Sequence, residues 1–373
     1  MRVYLDNYRT TKLAPEVLAA MRPYLTKKFQ LPSGLYSGAL ENQKKVAECR
    51  KLIAEYLNVT PEEIYFIPDA SWGNRLILEN IPEIFPSISK PHVLTSIIEH
   101  SSILTPLKKL EKLGRITATY LPVDKEGLIK NFSLQATSYK LQANLLSCSH
   151  FNHAIGVTPD LEKIFQLKQQ DPALKIHLNA EFSFGKIKYD LQKMPLDFLT
   201  ASADKFHGPQ GIGLMYARKP FQFSFQKEID DTTNIAGIVG LTKAVELCQL
   251  PVASCQLPVY FWNKLQKEIP HLELNGSLEY RDFYNLNVTF KGIEGEALAL
   301  RLNLEGIAVS TGSACAQKNL QSDYVIIALG KPYEDSHGSL RFTFSRYTTQ
   351  KELDYTVGKL KKIVRELRAI SPL

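Results

Sequence analysis

Residues 197–217 read DFLTASADKFHGPQGIGLMYA. An apolar run leads to Lys205, a turn rich in glycine and proline follows, and a second apolar run begins at Gly211. Gly208 and Gly211 beside Pro209 let the backbone turn tightly and approach a ligand closely. In open α/β sheets ligands bind beyond the carboxyl ends of the strands, so a lysine directly after a strand sits where chemistry is done. By itself such a lysine is ordinarily a solvated or structural one, and the flanking pattern must decide.

Working outward, short β-like runs alternate with helical stretches: EIYFIP at 63, HVLTS at 92, ITATYLP at 116, ANLLSCSH at 143 and KIHLNA at 175. Alternation of this kind predicts a mainly parallel sheet covered by helices on both faces. Residues 42–57, NQKKVAECRKLIAEYL, place Val46, Cys49, Leu52, Ile53 and Tyr56 on one helical face. A second helix is marked by Thr158 as cap and Pro159 in its first turn, with Leu161, Ile164, Phe165 and Lys168 at helical spacing. Beyond residue 250 a connecting stretch leads to a new pattern: a helix near 259–268, strand YNLNVTF, helix GEALALRLNLEG, strands IAVSTGS and SLRFTFS, and a last helix striped by Leu353, Val357, Leu360, Val364 and Leu367. The expectation is an α/β fold with a large domain over 14–250. Residues 1–13 and 251–373 are expected to form a smaller α/β domain.

Of the 373 residues 44% are apolar and 22% charged, as in globular proteins. The net charge of +7 is spread along the chain, which predicts a solvated basic surface and no nucleic-acid partner. No apolar run is long enough to cross a bilayer, so no membrane association is expected. The charged opening MRVYLDNYRTTKLAPEV predicts no export signal. Cys49, Cys148, Cys248, Cys255 and Cys315 are odd in number and lack paired spacing, which predicts neither a disulfide framework nor a metal site, and a cytoplasmic location.

Two further residues follow β-runs as Lys205 does. His100 lies between HVLTS and a helix, where an imidazole can move protons or lie against an aromatic ligand; the alternative is a structural histidine. Cys315 follows AVSTGSA, where a loop-borne thiol near Lys318 would have thiolate character; the alternative is a small buried apolar side chain.

These segments, in this order, resemble the cysteine desulfurase family, the class V group of fold type I pyridoxal-phosphate enzymes. The resemblance runs nearly end to end, through YLDNYRTT at 4, IEHSSI at 98, HFNHAIGVTPD at 150, AVSTGSAC at 308 and GSLRFTFSRYTTQKELDYTV at 338. It implies pyridoxal 5'-phosphate as cofactor, with Lys205 forming the internal aldimine, His100 stacking on the pyridine ring, and Ser71 and Ser202 contacting the phosphate. It implies that Arg341 clamps the carboxylate of an amino-acid substrate, cysteine or similar, and that Cys315 takes its sulfur as a persulfide. A sulfur-acceptor protein and a homodimer, with Thr233 reaching a phosphate across the interface, belong to the same implication.

The chain also departs from the family's pattern. Asn179 stands where the family has the Asp that pairs with the pyridine nitrogen, and Phe182 where a Gln bonds the phenolic oxygen. A neutral amide is a weaker partner for a protonated ring nitrogen than a carboxylate. His153 takes the place of a cofactor-contacting Asn, with Asn152 before it, and Asp204 that of a phosphate-binding His. DASW at 69 replaces a Gly/Thr-rich stretch, and EIDDTTNIAG at 228 is a shortened glycine-rich segment. Alongside desulfuration, two other readings stand: a pyridoxal-phosphate enzyme of different specificity, such as an aminotransferase or β-lyase, and a non-catalytic homologue that has lost the cofactor.

Overall fold

The apolar runs marked as strands form the centre of the molecule in a computed structural model. It describes residues 1–129, 143–221, 234–248, 257–311 and 323–370. The first half contains β1 (Val3–Tyr4), α1 (Pro15–Thr26), α2 (Ser37–Leu57), β2 (Ile64–Ile67), α3 (Ala70–Glu79), α4 (Ile81–Ile84), β3 (His92–Ser96), α5 (Ser101–Lys112), β4 (Thr117–Leu121), β5 (Leu145–Ser149), α6 (Leu161–Gln170) and β6 (Lys175–Asn179). β7 (Phe198–Ser202), β8 (Gly213–Ala217), α7 (Ile235–Leu247), α8 (Leu257–Glu268), β9 (Leu272–Leu274), β10 (Asn285–Phe290), α9 (Gly295–Leu304), β11 (Ile307–Ala308), β12 (Ser310–Thr311), α10 (Tyr324–Ala328), α11 (Tyr333–His337), β13 (Ser339–Thr343) and α12 (Gln350–Ile370) follow.

Seven strands make the large sheet, in the order β2-β8-β7-β6-β5-β3-β4. β4, β3, β5, β6 and β7 are parallel, whereas β8 runs antiparallel to both β7 and β2. Every residue of β2, β3, β5, β7 and β8 is buried, which explains their continuous apolar runs: both faces of the sheet are covered. The register sets Ser149 beside Asn179 and Asn179 beside Thr200, so the carboxyl ends of β5, β6 and β7 converge on one edge.

Two glycines let α3 lie close to this edge. A Cβ on Gly73 would stand 2.6 Å from Ile67 Cδ1, and one on Gly213 would stand 2.4 Å from the Ala201 carbonyl oxygen and 3.3 Å from Asp69 Cα.

A second, four-stranded antiparallel sheet has the order β12-β13-β10-β9. Its core joins Leu286, Val288, Phe290 and Phe342 to Phe261 of α8 and to Leu353 and Leu360 of α12. Complete burial of each such side chain contributes roughly 1.5–3 kcal/mol. The chain's first residues join this half, with Val3 pairing in parallel with Ile307.

Three local expectations are corrected. α6 begins at Leu161 and is capped by Asp160, whose Oδ1 accepts from the Lys163 amide at 3.1 Å; the Thr158 hydroxyl faces the Pro159 carbonyl instead. The single strand expected at IAVSTGS is divided, because β11 pairs with β1 while β12 pairs with β13. On α2, Leu52 faces solvent, and Cys49, Ile53 and Leu57 carry the buried stripe. Among the described residues no helix is long and apolar enough to cross a membrane.

Candidate active site

β7 ends at Ser202 and one 3-10 turn, Ala203–Lys205, places Lys205 at the carboxyl edge of the sheet. Its side chain is only 11% exposed. Nζ donates to the Arg9 carbonyl at 2.7 Å and to Asp204 Oδ2 at 2.9 Å, and Glu181 Oε1 lies 3.7 Å away. Glu181 Oε2 is buried with no hydrogen-bond partner among the described residues. Glu181 lies beyond the end of β6, next to Asn179, whose Oδ1 accepts from the Glu181 amide at 3.1 Å while its Nδ2 donates to Ser149 Oγ at 3.2 Å.

At the other side of β7, the Ala70 amide that opens α3 donates to Ser202 Oγ at 2.7 Å. Asp69 caps the same helix, its Oδ1 accepting from the Trp72 amide at 2.7 Å. Ser71 lies in this first turn and is half-buried. A helix start has unpaired amides that favour an anion, and here Asp69 already supplies one.

His100 caps α5, its Nδ1 accepting from the Ser102 amide at 3.2 Å and facing Ser102 Oγ at 2.8 Å. Its ring meets His153 edge-on, with centroids 5.1 Å apart. Burial lowers the His100 pKa, Glu181 and Asp69 oppose that, and Lys205 and Arg341 add to it. Burial holds His153 well below the ordinary imidazole value, with His100 and Arg341 acting in the same direction. Both rings are therefore neutral near pH 7, suited to packing against a ring and poor at holding a proton.

Arg341 reaches in from β13. Its Nη1 donates to the His153 carbonyl at 2.7 Å and its Nη2 to Asp6 Oδ1 at 3.3 Å, while Nε is buried without a partner among the described residues. Asn152 turns its side chain to the backbone, donating to the Ile98 carbonyl and accepting from the Ala154 and Ile155 amides. This shapes the turn that presents His153, and it leaves Asn152 a positioning role. Phe182 stacks on Tyr8 with centroids 4.3 Å apart.

The structure thus gathers Lys205, His100, His153, Asn179, Ser202 and Arg341 at one edge. Cys315 and Thr233 lie outside the described residues. On either side of the former, Ser310 pairs in register with Arg341, and Asp323, its pKa pushed up to about 6 by burial, is drawn down by the charge of Arg341. Sequence reasoning passed over Glu181 and Asp6. The signal for Glu181 was a charged residue directly after an apolar strand and two positions from Asn179; Asp6 carried no local signal.

The aminotransferase class-V family model matches residues 3–229 and 226–356, most of the chain. The chain belongs to this family. Among curated relatives, cysteine desulfurase IscS of Dictyoglomus turgidum is 36% identical over 384 residues, covering 99% of this chain and 96% of that one. Cysteine desulfurase 2 of Trichormus variabilis is 36% identical over 382 residues, covering 99% and 95%. Among solved structures, a NifS-like protein is 27% identical with a TM-score of 0.88, covering 98% of this chain and 100% of that chain. A structure described as SspA in complex with cysteine is 25% identical with a TM-score of 0.79, covering 93% and 100%.

Class-V aminotransferases and the cysteine desulfurases among them depend on pyridoxal phosphate, and the fold is that of fold type I enzymes of this cofactor. The residues present fit the group at its aldehyde and its ring face. A largely buried lysine follows β7, a neutral imidazole stands beside it, and a buried guanidinium faces the same space. At the phosphate end Ser202 and the start of α3 fit, but Asp69 brings negative charge to that helix start, and Asp204 brings a second carboxylate to Lys205.

Proposed function

We propose that this chain removes sulfur from cysteine as a pyridoxal-phosphate-dependent desulfurase, with Lys205 and Cys315 as its reactive residues. One observation carries the reading: in a chain related to cysteine desulfurases over its whole length, Lys205 lies one turn beyond β7 on the edge that Arg341 and His100 share.

When bound, the cofactor supplies an electron sink for the charge that develops as the substrate's Cα proton leaves. The protein does the rest. Lys205 Nζ would hold the cofactor at its aldehyde and, when free, would be the amine placed to take the Cα proton. His100 packs on the ring and stays neutral because it is buried. Arg341 presents guanidinium hydrogens to the substrate carboxylate, a match that fixes orientation. Ser71 and Ser202 hold the phosphate end, with Thr233 assigned to it across a homodimer interface. His153 and Asn179 face the ring, Asn179 as a neutral partner. The Cys315 thiolate attacks the substrate sulfur, forming an S–S bond while the substrate's Cβ–S bond breaks and its electron pair goes to carbon.

A homodimer, a cytoplasmic location, a protein that accepts the persulfide sulfur, and the two-domain division at about residues 14 and 250 complete the proposal. The test is sulfide release from cysteine by protein loaded with pyridoxal phosphate. Activity lost in both Lys205→Ala and Cys315→Ser is expected; bound cofactor with no sulfide overturns the desulfurase reading.

A further inference from the structure

Lys205 is fully engaged by protein groups. Its Nζ is held by Asp204 Oδ2 at 2.9 Å, by the Arg9 carbonyl at 2.7 Å, and by Glu181 Oε1 at 3.7 Å. The Glu181 and Asp204 side chains are 9% and 16% exposed, so this ion triad is largely shielded from water. Among the described residues, the cations Lys205, Arg341 and Arg9 and the carboxylates Asp6, Asp69, Asp204 and Glu181 gather at this edge. A phosphate monoester entering such a site adds about two further negative charges. Unit charges of like sign a few ångströms apart repel strongly at the effective dielectric of a protein edge.

Covalent loading adds a second cost. The Lys205 ammonium must give up a proton, to one of the two carboxylates or to water, before Nζ bonds to the aldehyde carbon and one water leaves. Glu181 and Asp204 then lose their ammonium partner while largely shielded from water, and Glu181 Oε2 has no donor among the described residues.

We propose that Asp204 and Glu181 set the cofactor occupancy of this site: they compete with the cofactor's aldehyde for the Lys205 amine and add negative charge beside the phosphate it must bring in, so pyridoxal phosphate is bound reversibly and its phosphate adds little to its affinity. The proposal rests on Lys205 being the cofactor lysine. It assigns these two carboxylates, which the desulfurase reading does not use, as the determinants of cofactor retention. Asp204 acts at both ends: its carboxylate meets Nζ at 2.9 Å, and it stands two residues after Ser202, whose Oγ accepts from the α3 amide. Glu181 acts mainly on the aldehyde end, through Nζ.

Equilibrium dialysis of the full chain against pyridoxal phosphate and against phosphate-free pyridoxal, read by absorbance, tests this without any turnover. The wild-type protein is expected to lose its cofactor on dialysis and to favour pyridoxal phosphate over pyridoxal by no more than about tenfold. Asp204→His should tighten pyridoxal phosphate by roughly tenfold or more and pyridoxal less, whereas Glu181→Ala should tighten both. Asp204→Asn, which keeps the size of the side chain, should move in the same direction as Asp204→His. Wild-type protein that retains one cofactor per chain through dialysis overturns the proposal, as do variants that bind both ligands as the wild type does. If no variant binds either ligand, the assignment of Lys205 fails as well, which is a different signature from unchanged affinities.

Discussion

Arg341 Nη1 donates to the His153 carbonyl oxygen at 2.7 Å. This bond ties a strand of the four-stranded sheet to the turn after β5 of the seven-stranded sheet, and through His153 to His100, whose ring lies 5.1 Å away. A substrate carboxylate held by Arg341 is thereby placed against a fixed imidazole pair, so orientation is built in before binding.

Arg341→Lys keeps the charge but loses the planar fork that bonds His153 and Asp6 at once. Its kcat/KM for cysteine should fall by roughly 10- to 100-fold, mostly through KM. Steady-state kinetics measure this. A change confined to kcat would place Arg341 away from the substrate.

Asn179→Asp should raise the rate. A carboxylate favours a protonated pyridine nitrogen over the neutral amide, and each pKa unit gained there corresponds to about 1.4 kcal/mol. The site accommodates it, since Asn179 Oδ1 already accepts from the Glu181 amide and the Ser149 hydroxyl can turn to donate. Sulfide release and the bound cofactor's spectrum should both change; an unchanged spectrum would show that Asn179 does not face the ring nitrogen.

The pH dependence of stability has an identifiable contributor in Glu99. Burial pushes its carboxyl up from 4.5 to about 7, against the hydrogen bond from the Ser149 amide at 2.8 Å. Because the folded value lies above the unfolded one, the native state binds more protons between pH 4.5 and 7. Its contribution is present below about pH 4.5 and is lost as pH rises through about 7. Glu99→Gln should flatten the fall in stability over this range, by an amount on the order of a few kcal/mol. Urea unfolding at several pH values measures the slope, and an unchanged slope counts against this account.

Phe182→Ala removes one of two stacked rings, since Phe182 lies 4.3 Å from Tyr8. The ring is also buried, so about 3–5 kcal/mol of stability should be lost. A much smaller loss in thermal or denaturant unfolding would mean that Tyr8 closes the gap.

Much of this site could be read from the sequence because its residues follow strands. Lys205 and His100 were found as residues that follow apolar runs and Arg341 from the resemblance; the seven-stranded sheet brings the first two to one edge, and Arg341 reaches in from β13 of the other sheet. The departures at Asn179, Phe182 and Asp204 were equally legible, but their consequence was not. Glu181 reads as an ordinary turn residue in NAEFSFGK, and its nearness to Lys205 arises only because β6 lies beside β7. Asp6 is 335 positions from Arg341, a distance no local pattern spans. The start of α6 was misplaced for a simpler reason: Thr158 and Asp160 are both capping residues, and only the hydrogen bond to Lys163 distinguishes them.

The central claim is that Lys205 is the amine that holds the cofactor. Incubation with pyridoxal phosphate, reduction by borohydride and peptide mapping by mass spectrometry test it directly, because reduction fixes even a weakly held cofactor on its lysine. Labelling is expected at Lys205, the last residue of the stretch ASADK at 201–205. Labelling at another lysine, such as the buried Lys186 that pairs with Asp282 at 3.2 Å, or no labelling at saturating cofactor, would contradict it.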